Sequence, residues 1–118
     1  MVAANRKSNS ISILSNNGAG TLAVPVDYSV PPAPRTIETG DLDGDGDTDL
    51  ATASESESRI SVLMNKGGGA FDDATSFNAS GDAVRIAVSD LNGDGYQDIA
   101  SVNRTADTVA VLLNSTVP

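Results

Sequence analysis

Three short stretches alternate side chains in the same way: Ile11-Ser12-Ile13, Ile60-Ser61-Val62 and Val109-Ala110-Val111. A period of two sends alternate side chains to one face, the pattern of a half-buried strand. Each follows a small-residue-rich stretch that reads as another strand: Met1–Lys7, Leu50–Ser54 and Ile99–Asn103. Turn clusters come next, Asn16-Asn17-Gly18-Ala19-Gly20 and Asn65-Lys66-Gly67-Gly68-Gly69. Strands are predicted after them, over 21–30 and 70–79. Val30-Pro31-Pro32-Ala33-Pro34 is a loop, with Ala79-Ser80-Gly81-Asp82 as its counterpart. Beyond these loops strands are predicted over 35–39 and 83–89, with Val84, Ile86 and Val88 sharing a face. No segment spaces its apolar residues as a helix does, so the fold class is all-β.

The stretches are copies of one another. A displacement of 49 residues carries Ile11 to Ile60 to Val109, Leu14 to Leu63 to Leu112, Asn5 to Ser54 to Asn103, and Tyr28 to Phe77. A unit of this length, present about two and a half times without a gap, falls among the periods of propellers and solenoids. Four antiparallel strands per unit describe a β-propeller blade. In that frame 1–34 is a partial blade that begins at its second strand, 35–83 is complete, and 84–118 stops after its third. Propellers close with about four to eight blades, so about 2.5 blades make a partial array. Open strand edges pair readily with other chains, and a homo-oligomer or a longer propeller is expected.

Between the first and second strands of a blade lies the most charged stretch, Asp41-Leu42-Asp43-Gly44-Asp45-Gly46-Asp47-Thr48-Asp49. It recurs one period later as Asp90-Leu91-Asn92-Gly93-Asp94-Gly95-Tyr96-Gln97-Asp98. Glycines let such a loop fold tightly, so that the carboxylates converge. Oxygen ligands without nitrogen or sulfur suit Ca²⁺, which takes six to eight oxygens at about 2.3–2.6 Å. Two Ca²⁺ sites are therefore expected. An EF-hand needs flanking helices and a Glu at its twelfth position, where this chain has Thr52 and Ser101. A pair of glycosidase carboxylates would come from separate parts of the chain and line a sugar cleft. Here they are local and repeated, and there is no Trp to stack a sugar.

Composition narrows the function further. Seven basic against sixteen acidic residues leave a net charge of −9, which disfavours nucleic acid and anionic membrane as partners. Arg6, Lys7 and Arg104 read as too scattered for a basic patch. The absence of His and Cys removes the usual nucleophile–base pairs, disulfides and zinc ligands. No apolar run is long enough to span a membrane. Met1–Lys7 lacks the apolar centre of a secretion signal, which is expected outside these residues. Tyr28 and Phe77 read as blade-to-blade packing. Asn78-Ala79-Ser80, Asn103-Arg104-Thr105 and Asn114-Ser115-Thr116 match the glycosylation sequon, as a chain rich in Ser, Thr and Asn does by chance.

The doubled acidic loop, the Asp-Leu-Ala and Asp-Ile-Ala that follow it, the Val-Leu strand and the glycine-rich turn before Phe71 resemble the FG-GAP/VCBS repeat. That repeat is the blade unit of integrin α-like β-propellers. The resemblance covers essentially the whole chain and implies a Ca²⁺-stabilised, usually extracellular propeller, often in adhesion or glycan-associated proteins. It implies side-chain ligands from Asp41, Asp43, Asp45 and Asp49 with the carbonyl of Asp47, then from Asp90, Asn92, Asp94 and Asp98 with the carbonyl of Tyr96. The neutral amide of Asn92 makes the second loop the weaker site. Ser76-Phe77-Asn78 and Pro32-Ala33-Pro34 stand where integrins carry Phe-Gly and Gly-Ala-Pro, so the bacterial-type repeat is the better match.

The function expected is a non-catalytic, calcium-binding repeat module for adhesion or for protein or glycan interaction, extracellular, surface-exposed or periplasmic. The alternatives are an architectural unit that assembles from several copies, or a non-catalytic segment of a larger carbohydrate-active enzyme.

Overall fold

β-Branched and small residues in alternation favour pleated pairing, and strands form where those stretches lie. The computed structural model describes residues 1–115. Residues 116–118, the end of the predicted third blade and with it Thr116 of the third sequon, lie outside the described residues.

β1 (Val2–Asn5), β2 (Ser10–Ile13) and β3 (Val26–Ser29) form the first sheet. β4 (Pro34–Gly40), β5 (Asp49–Ser54), β6 (Arg59–Leu63) and β7 (Thr75–Asn78) form the second. β8 (Ala83–Ser89), β9 (Asp98–Asn103) and β10 (Thr108–Leu112) form the third. Every pair is antiparallel and joins sequence neighbours. The register repeats: Ala4 faces Ile11, Ala53 faces Ile60 and Val102 faces Val109. Asn9, Ser58 and Asp107, one period apart in the hairpin turns, all take positive φ, between 50° and 54°. The all-β architecture is that of partial propeller blades.

Two predicted features are corrected. The strands over 21–30 and 70–79 shrink to β3 and β7, preceded by isolated bridges from Leu22 to Asn16 and from Phe71 to Asn65. Pro25 has no N–H to give a ladder, and Asp72-Asp73 suits a strand poorly. Val84 does not share a face with Ile86 and Val88. The register slips between Ala83 and Arg85, as it does one period earlier between Pro34 and Thr36. The extra residue of this bulge reverses the alternation, so Ala83 joins Ile86 and Val88 in the core and Val84 lines an outer cleft with Arg35 and Arg85.

The core lies between blades. Ile11, Ile13 and Val30 of the first sheet pack on Leu50 and Leu63 of the second. Leu42, Ala53, Ile60 and Val62 of the second pack on Ala83, Ile86 and Ile99 of the third. Gly40 ends β4 at this second junction, where a Cβ would lie 2.7 Å from Val88 Cγ1 and collide with Gln97 Oε1. One period on, the equivalent face of the third sheet is open. Val109 is 67 % exposed where Ile60 is 0 %, and Leu91 is 49 % exposed where Leu42 is 4 %. Val102, Val111 and Leu113 extend the same apolar face.

Candidate metal centre

The two acidic loops are the same object built twice. Positive φ at Gly44 and Gly46 (80° and 93°) is repeated at Gly93 and Gly95 (80° and 93°), a conformation that glycine adopts without steric cost. It turns successive backbone N–H groups inward. Asp41 Oδ1 accepts from Gly44 N–H at 2.8 Å and Oδ2 from Gly46 N–H at 3.0 Å. Asp90 does the same for Gly93 and Gly95, at 2.7 and 2.9 Å. Asp43 and Asn92 each accept from the residue two positions on, and so do Asp45 and Asp94.

Asp49 and Asp98 do something further. Both are buried, and each carboxylate binds two backbone N–H groups from different connections. Asp49 takes Leu42 N–H at 2.7 Å and Asn65 N–H at 2.8 Å. Asp98 takes Leu91 N–H at 2.8 Å and Asn114 N–H at 2.7 Å. They tie the acidic loop to the turn after the third strand of the same blade. The bonds from Asn114 and Leu91 hold the Asp98 carboxyl below its ordinary range. The Asn residues lock the joint from the other side, since Asn65 Nδ2 donates to Thr48 O and Asn114 Nδ2 to Gln97 O. This second duty was missed in the sequence; its signal is that Asp49–Asn65 and Asp98–Asn114 keep one spacing of 16.

In the first loop one oxygen each of Asp41, Asp43 and Asp49 lies within 4.8 Å of the others. Ligands around one Ca²⁺ sit at most about 5 Å apart, twice the metal–oxygen distance, so this set fits the ion. Burial, then the neighbouring charges of Asp49 and Asp45, push the Asp43 carboxyl up from its ordinary value. A cation would relieve that repulsion. Asp45 and Asp47 stand outside this trio and are exposed. In the second loop Asn92 replaces the middle carboxylate, and its Nδ2 donates to Asp94 Oδ2 at 2.9 Å. Asp90 and Asp94 are exposed, while Tyr96 leans its ring toward Gly44 of the first loop.

Charge is sorted along the blades. The acidic loops share one end with the glycine-rich turns. Six of the seven basic residues (Arg6, Lys7, Arg35, Arg59, Arg85 and Arg104) lie toward the other end. There Arg6, Arg35 and Arg104 converge on Glu55 at 3.1, 3.0 and 2.7 Å. Arg6 and Arg104 are thus not scattered. Together with Arg35 they hold the Glu55 carboxyl below its ordinary value. Arg6, Glu55 and Arg104 occupy one position of three successive units, so the 49-residue displacement carries the signal for this inter-blade clamp.

No curated protein and no solved structure matches the chain. A family model described as an FG-GAP-like repeat matches residues 1–52 and again 41–101. Two matches that overlap on the first acidic loop, on a chain of repeated antiparallel sheets, place this protein in the FG-GAP-like repeat family.

Proposed function

We propose that this chain is a calcium-binding, non-catalytic β-propeller repeat module that serves adhesion or protein or glycan interaction in an extracellular, surface or periplasmic setting. The observation that carries the reading is the convergence of Asp41, Asp43 and Asp49 on a loop whose frame is repeated at Asp90, Asn92 and Asp98. Asp45 and Asp94, with the carbonyls of Asp47 and Tyr96, complete the two proposed ligand sets. Ca²⁺ would supply charge neutralisation and cross-linking of the loop, and no bond-breaking chemistry. Binding to the folded state alone stabilises it by about 2.7 kcal/mol at a hundredfold excess over Kd.

The second loop binds more weakly in this proposal. Asn92 brings no charge, and an ion must displace its hydrogen bond to Asp94. Calorimetric titration of chelator-treated protein is expected to resolve two sites of unequal affinity, and Asn92→Asp to narrow the gap. Calcium that neither binds nor raises the melting temperature would sink the reading.

The open apolar face of the third sheet favours a second reading, an architectural unit completed by further blades or further copies. Light scattering with calcium and with chelator separates a lone module from an assembly.

A further inference from the structure

The two acidic loops are joined across the junction between the second and third blades. Leu42, which stands between Asp41 and Asp43 in the first loop, is held at both ends of its backbone. Its N–H donates to Asp49 Oδ2 at 2.7 Å, and its C=O accepts from Asn114 Nδ2 at 2.5 Å. Asn114 belongs to the third blade. There its Nδ2 also donates to Gln97 O at 3.1 Å, and its N–H donates to Asp98 Oδ1 at 2.7 Å.

A continuous hydrogen-bonded path therefore runs from the Asp49 carboxylate through Leu42 and Asn114 to the Asp98 carboxylate. Leu42, Asp49 and Asp98 are buried, so little water competes for these bonds. A second contact runs beside the path. The ring of Tyr96 in the second loop reaches Gly44 in the first, where an added Cβ would lie 3.4 Å from Tyr96 Cε1. Every residue named belongs to the second or third blade, so the path does not depend on what adjoins the third.

We infer that the two proposed calcium sites are coupled, so that an ion in the first loop favours an ion in the second. The inference rests on the calcium-binding reading and adds to it an order of filling. An ion held by Asp41, Asp43 and Asp49 fixes Leu42 between them. The Leu42 C=O then fixes Asn114, and the Asn114 N–H fixes the carboxylate of Asp98, a proposed ligand of the second ion. The second loop is ordered before its ion arrives, and binding there costs less conformational entropy. By linkage, the second ion favours the first by the same factor. Leu42 and Asn114 are positioning residues, since neither supplies a proposed ligand oxygen.

The test is calorimetric calcium titration of the full chain and of a variant that carries Asp43→Ala with Asp45→Ala. The pair removes two proposed ligands of the first loop and keeps the bonds of Asp41 and Asp49 to the backbone. The site left in the variant is expected to bind about fivefold or more weakly than the second step of the parent. Asn114→Ala keeps the N–H to Asp98 and removes the bond to Leu42. Placed in both chains, it is expected to abolish that difference. Equal second-site affinity in the parent and the first-loop variant overturns the inference and leaves the calcium reading standing. A difference that Asn114→Ala leaves at full size does the same. A chain that binds no calcium overturns both. Should Asn114→Ala impair folding, amide hydrogen exchange of the parent decides the matter. Calcium enough for the first loop alone is expected to slow exchange at Leu42 and Asn114 together, and an unchanged Asn114 rate sinks the path.

Discussion

Asp49→Asn tests whether this buried carboxylate holds the fold by itself, apart from the proposed ion binding. Asp49 is fully buried and its two oxygens accept the N–H groups of Leu42 and Asn65. Asparagine keeps one acceptor but turns an NH₂ toward the other N–H, which leaves a buried donor unpaired. That loss costs about 1–3 kcal/mol, and weakening the remaining charge-assisted bond adds about 1 kcal/mol. The expected destabilisation is about 2–4 kcal/mol, out of the 5–15 kcal/mol available to a typical domain. Thermal unfolding by circular dichroism should show a midpoint lower by about 10 °C or more, in chelator as well as in calcium. Asp43→Asn is the control. It copies the second loop, where Asn92 accepts the equivalent N–H, so the midpoint in chelator should hold or rise as the repulsion from Asp49 and Asp45 is removed, while the calcium-induced rise shrinks. If Asp49→Asn melts like the parent in chelator, the buried carboxylate is not the staple described, and its burial reflects metal binding alone.

Three further outcomes follow from the packing. Gly40→Ala drives a methyl group toward Val88 and Gln97 at the second junction, and overpacking there should cost about 1–3 kcal/mol in denaturant unfolding. Glu55→Gln should lower the midpoint near neutral pH by an amount that shrinks as salt is added, because the three arginines are largely exposed. The folded-state pKa of Glu55 is depressed, so its contribution is complete above the ordinary glutamate pKa of about 4.3. It disappears as pH falls through the lower folded value, and the two proteins should converge in acid. Val109→Asp and Val111→Asp alter side chains that are 67 % and 53 % exposed, and should leave the unfolding midpoint of the isolated chain unchanged. The same pair should abolish any assembly through the third sheet, read by light scattering.

Much of the fold was legible because one period organises it. Ile11, Ile60 and Val109 announce the third strand of each blade, and the turn clusters announce what joins them. The two loops were legible for a different reason: paired glycines among the acids mark a tight turn, and both loops fold alike at those glycines. The outer strands were over-read at 21–30 and 70–79, since alternation says nothing of the proline or paired acids that interrupt a ladder. Val84 was misplaced because a bulge adds one residue to one strand, and no local pattern marks that slip. The Glu55 clamp was overlooked, although its three members share one repeat position, because charges a full unit apart look remote along the chain.

By itself, the sequence determined the all-β class, the length of the repeating unit, the order of strands and loops, and the oxygen-only chemistry of the acidic turns. These follow from local alternation, turn residues and side-chain type, which act over a few positions. Tertiary structure decided which copies of an equivalent residue are buried and which are open. Ile60 and Val109 carry the same strand signal, yet one is sealed by the next blade and the other faces solvent. It also decided that Asp49 and Asp98 each give one oxygen to their own loop and the other to a backbone N–H of a distant turn. Burial and hydrogen-bond partnership depend on what lies across a gap in space, and only the stacking of whole sheets brings those neighbours together.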